Sequence, residues 1–193
     1  MVRAVLVFPH RRRRLRRLVM TELDDQAVVA VQLGRSLRSI IEVVNRCHLG
    51  LPVVAAVPPV LDDGTPFPTR FWLTCPLAMR RVARLESAGG VKRLEAKATA
   101  DPTFGAALAA AHRAYADERD TLAPSDAGRL PRGGVGGATT GVKCLHAHYA
   151  HTRAGGSNPV GALVAGWVEP LDCTGPCVSG TPPGLDPAWR EPG

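Results

Sequence analysis

The spacing of apolar residues predicts a short run of strands followed by a run of helices. Three segments rich in β-branched residues and bounded by turn formers predict strands over residues 39–46, 52–57 and 70–74. Because these segments are consecutive and joined by turn-rich connections, we expect an antiparallel sheet. Helical spacing predicts one helix before the sheet and several after it, over residues 22–33, 76–88, 91–98, 102–122, 144–154 and 159–168.

Capping residues mark where several of these helices begin and end. Thr21 is expected to cap the first helix and Gly34 to terminate it. Proline is favoured at the first helical position, so Pro76 and Pro102 mark two further starts, and Asn158 is expected to cap the last helix. The predicted fold class is therefore α+β, with a small three-stranded antiparallel sheet packed against four to five of the helices.

Length and composition predict one domain between two segments of different character. A chain of 193 residues is long enough for a single core, which we place within residues 21–169. Residues 170–193 hold six prolines and four glycines, so we expect a disordered tail with too little apolar surface to order itself. Residues 1–20 are expected to be a basic disordered extension or a mis-assigned start, with Met20 as the alternative first residue.

The excess of positive charge is confined to the N-terminal segment. The chain carries 24 basic and 17 acidic residues, a formal charge of +7. Seven of the basic residues are arginines within residues 1–20, and that segment contains no acid, so the rest of the chain is neutral with 17 residues of each sign. Nucleic-acid binding is therefore not favoured, apart from nonspecific and salt-sensitive contacts between the arginines and phosphates.

Cysteine usage and the lack of long apolar runs bear on the cellular compartment. The N-terminal arginines are not followed by an apolar stretch long enough for a signal peptide. No run approaches the roughly 20 apolar residues that span a bilayer. Five cysteines, an odd number at wide spacing, are more typical of metal ligands or reactive thiols than of disulfides. We expect a cytoplasmic protein with no membrane partner.

The run from Cys144 to His151 contains one thiol and three imidazoles. If it is helical throughout, a step of roughly 100° per residue places Cys144, His148 and His151 on one face and turns His146 to the other. Thiols and imidazoles are the ligands that zinc prefers. The pattern therefore indicates one wall of a metal site, or an activated thiol.

Two further cysteines are expected to meet this wall at the edge of the sheet. The first and third strands of an antiparallel meander end at the same edge, which brings Cys47 and Cys75 together. With Cys144 and His148 they would complete a zinc site, with His151 in a supporting place, or hold an iron–sulfur cluster. The alternative interpretation is that the cysteines are small buried hydrophobes and the histidines are satisfied core or surface groups.

Cys75 also supports a different hypothesis. It precedes Pro76 at a helix N-terminus, where the helix dipole and free amides lower a thiol pKa. With His148 or His151 as base, Cys75 would be a catalytic nucleophile or a redox thiol. An inert cysteine at a cap position is the alternative.

The glycine-rich loop over residues 133–141 is a candidate anion site. Its amides could surround an anion before a helix begins, and Lys143 could neutralise that ligand as a cofactor-binding residue. It is not a phosphate-binding P-loop, because the required Gly-Lys-Ser/Thr is absent. Cys173 and Cys177 lie in the tail and are given no role.

Several motifs resemble those of a known family. They are Gln32-Leu-Gly-Arg35, Arg46-Cys47 with Gly50-Leu-Pro52, Asp63-Gly-Thr-Pro-Phe-Pro-Thr69, Phe71-Trp-Leu-Thr-Cys-Pro76, Arg84-Leu-Glu86, Gly141-Val-Lys-Cys-Leu-His-Ala-His148 and Asn158-Pro-Val-Gly161. In this order, across residues 24–168, they are similar to the bacterial family catalogued as domain of unknown function 501. The resemblance implies a small cytoplasmic bacterial protein without an established activity, and its characteristic residues coincide with Cys47, Cys75, Cys144 and His148.

Three functional hypotheses follow. The first is a Cys/His metal site, zinc or iron–sulfur, in a structural or catalytic role. The second is a thiol enzyme with Cys75 as nucleophile, and the third is a non-enzymatic protein-interaction module. Partners, substrate and oligomeric state are not readable from these patterns.

Overall fold

The computed structural model describes residues 24–193, so the predicted Thr21 cap and the basic N-terminal segment lie outside the described residues. Within this range the elements are α1 (Asp25–Leu33), β1 (Glu42–Arg46), β2 (Pro52–Ala56), β3 (Phe71–Leu73), α2 (Pro76–Ser87), α3 (Gly90–Ala100), α4 (Pro102–Thr121), α5 (Leu145–Arg153), α6 (Pro159–Val168), β4 (Val178–Ser179) and β5 (Gly184–Leu185). The three-stranded antiparallel sheet and the six helices of the described chain confirm the predicted α+β class.

The central strand β2 is buried along its whole length, which explains its uninterrupted apolar run. One face of the sheet, which includes Val54 opposite Leu73, packs into the main core formed with the later helices. The other face, which includes Ala55 opposite Trp72, packs beside Val29 of α1. The sheet therefore lies between α1 and the remaining helices.

The outer strands of the sheet end at the same edge. Both β1 and β3 are antiparallel to β2, so they run in the same direction. Cys47 directly follows β1, and Cys75 follows β3 by two residues and is the N-cap of α2. Cys47 packs against the core cluster that contains Cys75, and the predicted juxtaposition of the two thiols stays a prediction.

Most helix starts follow the local capping signals. Helices α2, α4 and α6 begin at a proline, and the side chains of Asp101 and Asn158 accept hydrogen bonds from first-turn amides at 3.0 and 2.9 Å. The first helix differs, because Asp24 rather than Thr21 is its N-cap, so it begins at Asp25. Among residues 24–193 no helix is both long and apolar enough to cross a bilayer.

Residues 170–193 pack against the domain, which differs from the disorder predicted for them. They form the hairpin of β4 and β5, and Cys177 and Val178 are only 8% and 1% exposed. Asp172 forms an ion pair at 2.8 Å with Arg81 of α2. Composition indicates whether a segment can build its own core, whereas this segment places a few apolar residues on a core that already exists.

Candidate functional site

The run from Cys144 to His151 begins with an extended residue and not with a helical one. Helix α5 starts at Leu145, and Cys144 is its N-cap with φ −152° and ψ 120°. The helical step therefore does not relate Cys144 to the residues after it. The prediction that Cys144, His148 and His151 share one face, with His146 turned away, is wrong for this reason.

Cys144 instead meets Glu86, from the end of α2, and His146, from the first turn of α5. One potential ligand atom from each of these three side chains lies within 4.8 Å of the other two. Nδ1 of His146 is 3.3 Å from Oε1 of Glu86, and that oxygen also accepts a hydrogen bond from the backbone N–H of Leu145 at 2.6 Å. Within residues 24–193, no other three Cys, His, Asp or Glu side chains approach one another this closely.

Both ring nitrogens of His146 face acceptors. Nε2 lies 3.1 Å from the carbonyl oxygen of Met79, and Nδ1 faces Glu86. Burial alone would lower the pKa of His146, but the hydrogen bond with Cys144 and the negative charge of Glu86 outweigh burial and raise the pKa to about 9. The ring is therefore an imidazolium at neutral pH unless a cation replaces its Nδ1 proton.

A cavity of about 270 Å³ opens beside Cys144 and His146. Its other walls are mostly apolar and include Phe71, Met79 and Ala147. The site is reachable from solvent, since the His146 side chain is 28% exposed. A small molecule with an apolar part would therefore fit with its polar end beside the thiol and the imidazole.

His148 and His151 point into the core and are held there by Asn158. Their exposed fractions are 0% and 3%. Oδ1 of Asn158 accepts the N–H of Gly161 at 2.9 Å, and Nδ2 donates to Nδ1 of His151 at 3.2 Å, so a neutral His151 has its proton on Nε2. Nδ1 of His148 lies 3.1 Å from Oδ1 and 3.0 Å from Nδ2 of the same amide. Both rings are neutral core groups. Burial lowers the pKa of each histidine to about 4, in agreement with this state.

The glycine-rich loop packs against His112 and does not present a row of free amides. The N–H of Val135 donates to Nδ1 of His112 at 3.0 Å, and the amides of Gly134, Gly137 and Ala138 donate to carbonyls within the loop. A Cβ on Gly134 would lie 2.6 Å from the His112 ring, so only glycine permits this approach. These contacts use the donors that an anion would need.

A family model described as "Protein of unknown function (DUF501)" matches residues 43–166. The chain belongs to this family. No curated protein and no solved structure matches it. The range matched to DUF501 contains Glu86, Cys144 and His146 as well as Cys47 and Cys75, whereas the tail lies beyond it.

Cys75 of this DUF501 protein is a buried thiol in an environment opposite to the one predicted for a nucleophile. Burial outweighs the amide hydrogen bonds of the helix N-terminus and raises the pKa of Cys75 to about 11. The thiols of Cys177 and Cys173 add to this rise. At neutral pH Cys75 is therefore a protonated thiol.

The four-ligand site predicted from Cys47, Cys75, Cys144 and His148 does not form as one group. Cys47 packs against the core cluster that contains Cys75, but Cys144 contacts Glu86 and His146, and His148 is bonded to Asn158. The reason is the orientation of α5, whose buried face packs against α6 while its N-terminus reaches the end of α2. Lys143, which precedes Cys144 in the chain, is exposed, and its cofactor-binding role stays a prediction.

Sequence reasoning overlooked Glu86 and His146 as functional residues of this DUF501 chain. Both lie in motifs that carry the family resemblance, Arg84-Leu-Glu86 and the run from Gly141 to His148. The assumption of a helix that includes Cys144 turns His146 away from that residue. No spacing rule relates Glu86 to Cys144 or His146. The available signal was the capping pattern, since an N-cap residue and the residue two positions later both lie at the helix N-terminus.

Proposed function

We propose that this protein binds a zinc ion through Glu86, Cys144 and His146. The observation that carries the proposal is the approach of a carboxylate oxygen, a thiol sulfur and an imidazole nitrogen to within 4.8 Å of one another. Zinc accepts all three ligand types. An iron–sulfur cluster is held mainly by several thiolates, so one cysteine fits zinc better than the cluster.

The hydrogen bonds around the three side chains support the same assignment. Nε2 of His146 faces the carbonyl oxygen of Met79, which orients the ring and leaves Nδ1 directed at Glu86 and Cys144. Metal-ligating histidines characteristically donate their other N–H to a carbonyl or carboxylate. The N–H of Leu145 fixes the carboxylate in the same way.

Three protein ligands leave one position of a tetrahedral ion for water or a substrate atom. Closed four-ligand sites are typical of structural zinc, whereas three ligands with an open position are typical of catalytic zinc. The cavity beside Cys144 and His146 gives access to that open position. We therefore propose a catalytic rather than a structural role for this ion.

Zinc content and zinc affinity of the full-length protein test the proposal. We expect Cys144→Ser to lose one bound ion relative to the wild type, and Glu86→Gln to weaken binding at least about tenfold. Glu95→Gln, which changes an exposed carboxylate on α3, serves as the matched control and is expected to bind as the wild type does. Unchanged zinc content and affinity in both Cys144→Ser and Glu86→Gln would contradict the proposal.

A cysteine nucleophile at the same place is the second candidate function. The observation that favours it is the position of Cys144, which is the N-cap of α5, lies beside His146 and faces the cavity. A helix N-terminus and a neighbouring imidazolium both stabilise a thiolate. In this proposal Cys144 takes the role that the sequence assigns to Cys75.

Alkylation of the metal-free protein with iodoacetamide separates the two candidates. A nucleophile requires Cys144 to react faster at pH 7 than the half-buried Cys47, and His146→Gln to slow the reaction. An ordinary alkylation rate at Cys144, together with protection by added zinc, leaves metal binding as the function. The alkylated residue is identified by peptide mass spectrometry.

A further inference from the structure

The other four cysteines of the chain gather at one edge of the sheet. Cys47 follows β1 and Cys75 follows β3, and these two outer strands run in the same direction on either side of β2, so they end at the same edge of the sheet. The tail brings Cys173 and Cys177 to the same place, since Cys177 immediately precedes β4. Three separate segments of the chain therefore contribute thiols to one region.

Packing places Cys177 in the middle of this group. Cys177 belongs to a small buried cluster against which Cys47 packs, while Cys47 and Cys173 both pack against the core cluster that contains Cys75. The thiols also affect one another electrically, because Cys177 and Cys173 help to raise the pKa of Cys75, and Cys47 and Cys173 help to raise that of Cys177. All four cysteines are free thiols.

A buried amide is directed at the central sulfur. Nε2 of Gln32, a residue only 7% exposed, donates to Sγ of Cys177 at 3.6 Å and to the carbonyl oxygen of Pro52 at 3.0 Å. Hydrogen bonds to sulfur are among the outer contacts that orient and tune metal-bound thiolates. Nε2 of His48 lies 2.9 Å from the carbonyl oxygen of Cys173 and fixes the other end of the Cys173–Cys177 segment.

The tail is attached to α2 by ion pairs. Asp172 pairs with Arg81, and Glu191 pairs with Arg80 and Arg84, but these pairs are partly exposed and contribute little to stability. Its buried apolar contacts come mainly from Cys177, Val178 and Trp189. The two cysteines of the tail thus lie where a cross-link to the sheet would hold the tail in place.

We propose that Cys47, Cys75, Cys173 and Cys177 form a tetrathiolate site for a soft or borderline cation, zinc in first place, and that the ion holds the tail against the sheet. Each thiol gives its proton to solvent when it coordinates. No three of these four sulfurs lie within 4.8 Å of one another in the structure, so binding draws the Cys173–Cys177 segment inward. Four thiolates make a closed site of the structural kind.

Cobalt(II), a spectroscopic substitute for zinc, tests this proposal on the full-length chain. The background is Cys144→Ser, which removes the other proposed metal site, so the failure of either site is seen separately. We expect this variant to bind cobalt with tetrahedral visible bands and intense sulfur-to-cobalt charge transfer. Both signals should disappear in Cys144→Ser/Cys173→Ser and in Cys144→Ser/Cys177→Ser.

Zinc should also raise the melting temperature of Cys144→Ser and slow cleavage of its tail by chymotrypsin, and neither effect should occur in the two double variants. Far-UV circular dichroism with a chelator present checks that each variant is folded. Because Cys177 is buried, the half-buried Cys173 is the decisive position if Cys177→Ser unfolds the chain. Absence of cobalt binding by Cys144→Ser, or binding without sulfur charge transfer, overturns the proposal.

Discussion

At the scale of single residues, Asn158 determines what two of the three histidines in α5 can do. Its carboxamide oxygen caps α6, and the same amide lies within hydrogen-bond distance of His148 and His151. Both rings are thereby fixed as neutral core groups. His146 has no such partner and instead faces the thiol of Cys144. Three imidazoles within six residues thus have different chemistry because of one side chain from the next helix.

Replacement of Asn158 should cost more than the loss of a helix cap. We expect Asn158→Ala to lower the free energy of unfolding by about 2–4 kcal/mol, since it removes the cap of α6 and the hydrogen-bond partner of two buried histidines. Asp101→Ala, which removes the cap of α4 without a buried histidine, is the matched control and should cost less. Urea denaturation measures both, and equal losses would contradict the role of Asn158.

The buried histidines also predict how stability changes with pH. Burial lowers the pKa of His148 and His151 from 6.5 to about 4, so between these values the unfolded chain binds more protons than the folded one. Their stabilising effect is complete above about pH 6.5 and is lost as the pH falls towards 4. Each contributes a slope approaching about 1.4 kcal/mol per pH unit in this window.

Urea denaturation at several pH values measures this slope. His151→Gln keeps a hydrogen-bond acceptor for Asn158 but removes one titrating group, so its free energy of unfolding should vary less steeply between pH 6.5 and 4 than that of the wild type. The comparison is independent of the overall stability of the variant. Parallel curves for the two proteins would show that His151 does not titrate as proposed.

At the scale of elements, local patterns predict where strands and helices lie. They do not predict which side chains meet at the ends of these elements. The sheet and most caps follow from residue patterns within a few positions, as at Asp101 and Asn158. The start of α5 is different, because Cys144 is extended and Glu86 reaches Leu145 across 59 residues of sequence. No periodicity contains that contact, so the candidate site could be predicted only in part.

The glycine-rich loop provides a test at this scale. The Cβ of an alanine at Gly134 would lie 2.6 Å from His112. We expect Gly134→Ala to destabilise the protein by about 1–3 kcal/mol through overpacking. Gly128→Ala, where no atom lies within 4 Å of the added Cβ, is the control and should be near neutral. Chemical denaturation of both variants measures the difference.

At the scale of the whole molecule, the tail is a separate layer that covers the edge of the sheet beyond the DUF501 match. The sequence places Cys47 and Cys75 at the ends of β1 and β3 and assigns them partners from α5, because composition makes the tail look unable to fold. In the structure, Cys173 and Cys177 of the tail share packing clusters with Cys47. Composition could not reveal this, since the surface that orders the tail belongs to other elements.

A single charge in the hairpin should release this layer. Val178 is 1% exposed, so we expect Val178→Asp to detach residues 170–193 rather than bury a carboxylate. Chymotrypsin should then cleave quickly at Trp189 while the rest of the domain stays protected. Leu185→Asp changes the 68% exposed residue opposite Val178 in the hairpin and serves as the control, with cleavage as slow as in the wild type. Equal cleavage rates in the two variants would argue against a docked tail.

The hydrogen bond from Leu145 to Glu86 closes a long segment of the chain that contains α3, α4 and the glycine-rich loop, so both ends of this segment lie at the same place. The separation of 59 residues enters the free energy of closing this loop only logarithmically. Insertions or deletions at the exposed turn after α4 should therefore leave the arrangement of Glu86, Cys144 and His146 unchanged. The length of this segment can therefore change while Glu86, Cys144 and His146 keep their positions relative to one another.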